Sequence, residues 1–405
     1  MKTTTKKSQI EFIALMAALM SVTALSIDAL LPALGVIGKE IGTVTTADNQ
    51  LLVTMIFVGL GIGPLVFGPM SDATGRKPSV YLGFVIFIIA SLICVSAESL
   101  EVMILGRILQ GVGLAAPRTI CIAIIRDLFE GDYMARIMSF VTVVFLLIPI
   151  IAPAMGKFVL NHYDWKGIFY VQIFISILVA GWFWLRQVET LKPEHKIPFS
   201  VQRISNGFIE TVRHKETMGY TLISGFVVGS FLVYLSASQQ IFEIQYGLVE
   251  QFPYIFAGLA IAIGAAIFLN GTFVIRFGMK KMVTFALYGF FAVSLLYVII
   301  FNSNPHPPIA ILVGFFALQF FFIGFLFGNV RALAMQPVGH IAGIAAAITG
   351  FISTLMAVPI SIIIGRFVEF STLPLFIGFS VCSFLAICIL FYINISNKKV
   401  SEVVA

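Results

Sequence analysis

Apolar residues run along the chain in long stretches at 10–36, 48–70, 78–97, 100–126, 136–160 and 166–186. A second set follows at 218–243, 251–275, 281–301, 308–335, 341–367 and 372–394. Charged residues, Pro or Gly bound each stretch. About 20 apolar residues carry a helix across the hydrocarbon core of a bilayer, so the pattern predicts twelve membrane-spanning helices. One long hydrophilic interval, 187–217, interrupts it with Glu189, Lys192, Glu194, Lys196, Arg203, Glu210, Arg213, Lys215 and Glu216. It predicts a linker between a six-helix half at 1–186 and a second at 218–405.

Composition excludes a water-soluble fold. Of 405 residues, 59% are hydrophobic and 11% charged, with a mean hydropathy of +1.03; soluble domains are about half apolar and one quarter charged. The net charge of +6 implies no nucleic-acid partner, because the basic residues lie in connectors rather than on one soluble face. They are also unevenly shared. With the N-terminus inside, Lys2, Lys6, Lys7, Arg76, Lys77, Arg126, Arg136, the linker cations, Arg276, Lys280, Lys281, Lys398 and Lys399 fall on the inner side. The outer side keeps Lys39, Lys157, Lys166 and Arg366. The positive-inside rule then places both termini and the linker in the cytoplasm. The basic N-terminus resembles a signal peptide, but its apolar run continues to Leu34 with no small-residue cleavage site, and it reads as a retained helix. Cys94, Cys121, Cys382 and Cys388 lie singly in apolar stretches, a pattern of small buried hydrophobes with no disulfide or metal spacing.

The halves echo each other. Thr74-Gly75-Arg76-Lys77 after the second stretch has a counterpart in Phe277-Gly278-Met279-Lys280-Lys281 after the eighth, and Ala152-Pro153 has one in Val358-Pro359 at nearly the same spacing. Two parallel repeats of six helices give this pattern. There is no phosphate-binding GxxxxGK[ST] loop and no HExxH or GxSxG signature, so neither nucleotide hydrolysis nor these enzyme chemistries are indicated. Gly59-Leu60-Gly61-Ile62-Gly63 lies within an apolar helix, where small residues serve close packing.

Ionisable groups deep in a membrane are costly and mark function. Asp28 in the first stretch and Arg107 in the fourth sit at matching depth, and they pair if the two helices touch. Arg118 follows Arg107 by three turns, roughly 16 Å further along one face, a face suited to lining a polar cavity. Two readings of Asp28 stand. It forms a structural salt bridge with Arg107, or it exchanges a proton, since a buried carboxylate gains by holding one and releases it when a cation approaches. The connector Gly68-Pro69-Met70-Ser71-Asp72-Ala73-Thr74-Gly75-Arg76-Lys77 adds turn-forming glycines. In it Asp72 is suited to helix N-terminal N–H groups, and Arg76 is suited to Asp127.

That connector resembles the loop signature of the major facilitator superfamily, and Arg107-Ile108-Leu109-Gln110-Gly111-Val112-Gly113 resembles its helix 4 signature. Pro149-Ile150-Ile151-Ala152-Pro153-Ala154-Met155-Gly156 is similar to the helix 5 element of drug antiporters, in the form of the bicyclomycin-resistance (Bcr/CflA) subfamily. Asp28 to Pro32, Trp165 to Phe169, Tyr234 to Ser238, Tyr246-Gly247 and Ala342 to Gly350 extend the likeness over nearly the whole chain. The resemblance implies an all-α fold in a bacterial inner membrane and alternating access by rocking halves. It also implies export of drugs or other small organic molecules, acting as a monomer driven by the proton gradient without a cofactor. It assigns Asp28 as proton site and Arg107 as its modulator, with Gly68, Asp72, Gly75, Arg76, Asp127, Pro149, Pro153 and Gly156 in conformational gating. Pro64 replaces the usual Gln, Gln239 replaces the usual Pro, and Arg118 and Arg331 add charge. Export of a siderophore or other anionic metabolite is therefore a second reading, and proton-coupled nutrient uptake a third.

Among substrate contacts, Arg118, Tyr234, Gln239, Gln240, Gln319 and Asn329 are expected before any of the 40 Phe. Amides and hydroxyls in lipid need a partner or a wet cavity, whereas most phenylalanines face lipid or other helices.

Overall fold

A computed structural model of the chain describes the backbone of residues 6–303 and 306–404, and the side chains of 9–395 apart from 132, 135, 304 and 305. Lys2 lies outside it, and so do the side chains of Lys6, Lys7, Lys398 and Lys399. The described residues are helical and contain no strand. They form two compact units, Met1–Val201 and Gln202–Ala405, each considered by itself.

The first unit holds α1 (Lys6–Asp28), a 3-10 turn (Leu31–Ala33), α2 (Leu34–Glu40), α3 (Thr46–Thr74) and α4 (Arg76–Val95). It continues with α5 (Leu100–Leu128), α6 (Gly131–Leu146), α7 (Ile148–His162) and α8 (Lys166–Arg186). The second holds α9 (Val201–Arg213), which starts at the boundary, α10 (Lys215–Gln239) with a π-helical turn (Gln240–Gln245), and α11 (Phe252–Phe277). Then come α12 (Met279–Phe301), α13 (Ile309–Met335), a 3-10 turn (Gln336–Ile341), α14 (Ala342–Gly365) and α15 (Leu373–Val404). Eleven helical runs among the described residues are long and apolar enough to cross a membrane. The longest, 309–365, is bent at the 3-10 turn and contains both α13 and α14.

Three expected elements differ in detail. The first apolar stretch is broken: α1 ends at Asp28, and Pro32, which has no N–H to donate, sits in the tight turn that follows. The expected connector at 68–77 is mostly helix, so Gly68 and Asp72 lie inside α3 and the turn shrinks to Gly75 at φ 117°. Local hydroxyls serve the carbonyls around Pro69: Ser71 donates to Gly68 O at 2.9 Å and Thr74 to Met70 O at 2.9 Å. The fifth stretch divides at Leu147, where Pro149 falls in the first turn of α7, the position proline tolerates.

Small residues set the packing of the first unit. A side chain at Gly59 would meet Ile108 O at 2.0 Å, and one at Gly111 would meet Ile56 O at 2.0 Å, so α3 and α5 touch backbone to backbone. Gly83 receives Ala116 and the Gly113 carbonyl in the same way, bringing α4 onto α5. Large apolar side chains such as Leu105, Phe158, Phe174, Ile275 and Leu355 are exposed, a pattern suited to a chain surrounded by lipid.

At Gly156 a Cβ would stand 1.9 Å from Ala29 O, on the turn that follows Asp28. Gly156→Ala is therefore expected to destabilise the fold by roughly 1–3 kcal/mol through overpacking. It should lower the thermal midpoint in detergent, while Gly181→Ala, with open space at its Cβ, leaves the midpoint unchanged.

Candidate functional site

The backbone contact of α3 with α5 brings Arg107 within reach of main-chain oxygen. Its side chain is fully buried. Nε donates to Leu52 O at 2.6 Å, and Nη1 donates to Ser26 O at 3.2 Å and to Gln110 Oε1 at 2.7 Å. Gln110, one turn along α5, is fixed by donating to Ser91 Oγ on α4 at 2.8 Å. Carbonyl dipoles and an amide, with no counter-carboxylate among the described residues, thus hold a buried guanidinium. Nη2 has no hydrogen-bond partner among the described residues.

Asp28 is 5% exposed, at the C-terminal end of α1, two residues beyond the Ser26 carbonyl that Arg107 grips. The salt bridge, one of the two readings of Asp28, is not formed among the described residues: Arg107 Nε and Nη1 go to Leu52 O, Ser26 O and Gln110 Oε1, and Nη2 is left unengaged. No hydrogen bond or ion pair to Asp28 exists among the described residues. Gly156 and the buried Pro153 press α7 onto the adjoining turn, so the carboxylate sits at a helix break walled by backbone. Pro149, one turn earlier, is half-buried, as is Arg118, which follows Pro117 on α5.

A second cluster lies at the junction of α3 and α4. Arg76 forks onto Asp127, with Nε to Oδ2 at 2.9 Å and Nη2 to Oδ1 at 3.2 Å, while Nη1 donates to Asp72 Oδ1 at 2.6 Å and to Ser71 Oγ at 2.9 Å. Planar bidentate pairing of this kind fixes orientation as well as charge. The expected role of Asp72 at the helix N-terminus belongs instead to Glu189. From the segment after α8, Glu189 accepts from Arg76 N and Lys77 N at 3.0 Å each, and from Thr190 N and Leu191 N at 3.0 Å each. Asp72 is unsuited to that role because it sits in the last turn of α3, where its carboxylate meets the Arg76 side chain. Lys77 Nζ donates to Gln187 O at 2.6 Å, and Thr190 Oγ1 donates to Asp127 Oδ2 at 2.9 Å. The start of the linker is thereby strapped to the α3–α4 turn.

In the second unit the expected substrate contacts have different surroundings. Tyr234 is buried in an aromatic cluster, edge-on to Phe320 at 4.5 Å, tilted against Phe316 at 5.1 Å and stacked on Phe256 at 6.2 Å. Gln319 is fully buried, with neither amide atom hydrogen-bonded among the described residues. Asn329 and Asn270 pair side chain to side chain across α13 and α11, with Asn329 Nδ2 donating to Asn270 Oδ1 at 2.7 Å. Gln239 donates to Glu243 Oε2 at 2.6 Å, and Gln240 to Val368 O at 3.4 Å. Both lie where α10 widens into its π-helical turn, a feature common at functional sites. Arg331 is exposed, its guanidinium beside Gly350 on α14.

Sequence reasoning gave no site role of their own to Ser26, Gln110, Glu189, Asn270 and Glu243. The spacing of Arg107 and Gln110 by one turn was a usable signal. Glu189 carried none, because a linker carboxylate looks solvated until the chain folds back.

Burial raises the Glu189 carboxyl, but the hydrogen bonds from Lys77, Leu191, Arg76 and Thr190 outweigh it and hold the group below its ordinary 4.5. Its stabilisation is thus complete above the unfolded value of 4.5 and disappears as pH falls through the lowered folded value. Glu189→Ala is expected to lower the thermal midpoint at pH 7, by an amount that shrinks steadily as the buffer is taken below 4.5. A gap independent of pH contradicts the strap.

The sequence profile described as "Major Facilitator Superfamily" matches residues 14–362. A bicyclomycin resistance protein homolog of Haemophilus influenzae is 27% identical over 396 residues, covering 97% of this chain and 98% of that protein. An uncharacterized MFS-type transporter, YdgK of Bacillus subtilis, is 31% identical, covering 84% and 85%. Multidrug resistance protein MdtL of Shewanella oneidensis is 25% identical, covering 80% and 81%. The fold is similar to the human organic anion transporter MFSD10, with a TM-score of 0.66, 14% identity and coverage of 95% and 99%. It is also similar to the xylose transporter XylE from E. coli, with a TM-score of 0.70, 12% identity and coverage of 96% and 98%. An all-helical multi-pass chain whose profile match spans most of its length belongs to the Major Facilitator Superfamily, and is a membrane transporter and not an enzyme.

Proposed function

We propose that this transporter is a proton-coupled antiporter that exports small organic molecules by alternating access. Twelve helices in two six-helix halves would lie in a bacterial inner membrane, as a monomer with both termini and the linker inside. The observation that carries the reading is Asp28, a buried carboxylate at a helix break with no hydrogen bond or ion pair among the described residues, two residues along α1 from the Ser26 carbonyl that accepts from an Arg107 guanidinium with one unengaged nitrogen. In its protonated form Asp28 is neutral and needs no counter-charge in this low-dielectric site. When the proton leaves, the carboxylate attracts Arg107, and only Nη2 can turn to it without giving up a carbonyl. Proton loss would therefore pull α1 and α5 together at the break, a local movement able to bias a two-state transporter. The drug-resistance names of two of the relatives support export over uptake.

One observation favours an anionic substrate, such as a siderophore or acidic metabolite. Arg331 is exposed on an apolar helix of the second unit, and a cation held in the membrane domain is costly unless it faces water or a ligand.

Asp28→Asn keeps size and hydrogen bonding while removing the titrating group. In liposomes under an imposed pH gradient it should abolish gradient-driven export, while substrate binding persists and loses its pH dependence. Undiminished proton-coupled flux in the variant sinks the assignment, and a wild type indifferent to the gradient moves the protein to the uniporter or ion-coupled class.

Gln319 separates a substrate contact from a packing defect. Replacing its unbonded amide by Leu removes an uncompensated buried polar group, which alone is neutral or stabilising. As a substrate ligand, Gln319→Leu should instead cut transport about tenfold or more, the loss of roughly one hydrogen bond, with an unchanged or higher thermal midpoint. Full transport removes Gln319 from the site.

A further inference from the structure

The turn after α11 repeats the backbone of the turn after α3 without its chemistry. Gly278, at φ 81°, corresponds to Gly75 at φ 117°. Around Gly75, Asp72 and Arg76 belong to the ion-pair cluster. The matching positions around Gly278 are Ile275 and Met279, so no such cluster can form. Two cations nevertheless remain, Lys280 and Lys281. Lys280 is tethered to Glu216 in the first turn of α10 at 3.2 Å. Lys281 is exposed and has no ion pair among the described residues.

Both lysines line a groove of about 350 Å³ between the first turns of α12 and the late part of α15, with Thr284, Phe285, Leu390 and Asn394. The lining is graded by chemistry. At the helix end stand the two ammonium groups and the exposed Asn394 amide, which has no hydrogen bond among the described residues. Thr284 turns its hydroxyl proton back to Lys280 O at 2.9 Å, so the donors open to an anion are the lysines and Asn394. One turn deeper the surface becomes apolar, with Phe285 57% exposed and Tyr288 54% exposed along the same helix. Cations at the end of a membrane helix followed directly by exposed aromatic surface match the boundary between headgroups and acyl chains.

We propose that this groove binds the headgroup of an anionic phospholipid. The phosphate lies on Lys281 and Lys280, the glycerol lies near Asn394, and an acyl chain follows Phe285 and Tyr288 along α12. The gradation from charge to exposed aromatics favours a lipid over a free phosphate, which has no use for the apolar half. The lipid would then hold α12, α15 and, through Lys280 and Glu216, the start of α10 at a fixed depth.

The test uses the purified full-length protein, titrated with phosphatidylglycerol or phosphatidylcholine of the same chain length, with bound lipid counted by native mass spectrometry. Wild type is expected to prefer phosphatidylglycerol. Lys281→Gln, an exposed substitution that disturbs no pair, should weaken that lipid about fivefold, the effect of one charge at an anionic surface, and leave phosphatidylcholine unchanged. Arg276→Gln, at the exposed end of α11, should change neither. Equal binding of the two lipids, an unaltered Lys281→Gln, or an equal loss in Arg276→Gln overturns the site. Displacement of phosphatidylglycerol by millimolar inorganic phosphate overturns the lipid and reassigns the lysines to a free anion.

Discussion

A guanidinium cannot be left unsolvated in a membrane domain, and in the first unit that constraint is met by main-chain carbonyls. Arg107 reaches Leu52 O because α3 and α5 meet at glycines, with no side chain between them, and it reaches Ser26 O on α1. The arrangement depends on distance: a methyl group at Gly59 or Gly111 would separate the helices by more than a hydrogen bond tolerates. Around it Gln110 and Ser91 add α4 and Ser26 adds α1, so one buried charge ties four helices together. Because carbonyls satisfy it, Asp28 is spared the role of permanent counter-ion. A carboxylate free of a fixed ion pair can gain and lose a proton without dismantling the unit.

The polar clusters of the two units differ around turns of similar backbone. Gly75 and Gly278 preserve a positive-φ turn, since that backbone state is strained for any residue with a Cβ. The side chains around them answer to different needs. In the first unit Arg76, Asp72, Asp127 and Glu189 close a network that joins a helix end to the linker. In the second, Ile275 and Met279 stand where the network would need charge, Lys280 pairs with Glu216 on α10, and Lys281 is exposed. Elsewhere in that unit amides bond to each other or to backbone, through half-buried Asn270 with buried Asn329 and through Gln240 on Val368 O.

Much of this was legible from the amino acids alone. Lipid forbids unpaired backbone groups, so long apolar stretches can only be helices, and the all-helical, multi-pass character of the chain followed from the order of residues. Asp28, Arg107, Arg76 and Asp127 stood out because an ionisable side chain in or beside such a stretch is too costly to be incidental. Which groups meet was decided only by the tertiary structure. Asp28 and Arg107 share a depth, yet Arg107 turned to carbonyls, because a carbonyl contributed by a touching helix leaves no trace in side-chain identity. Glu189 looked solvated until the chain folded back onto α4, and the packing reason for Gly156 appeared only when Ala29 O came within 1.9 Å of its missing Cβ. Sequence records what each residue brings, whereas hydrogen bonds and close packing act over a few ångströms that only the assembled helices define.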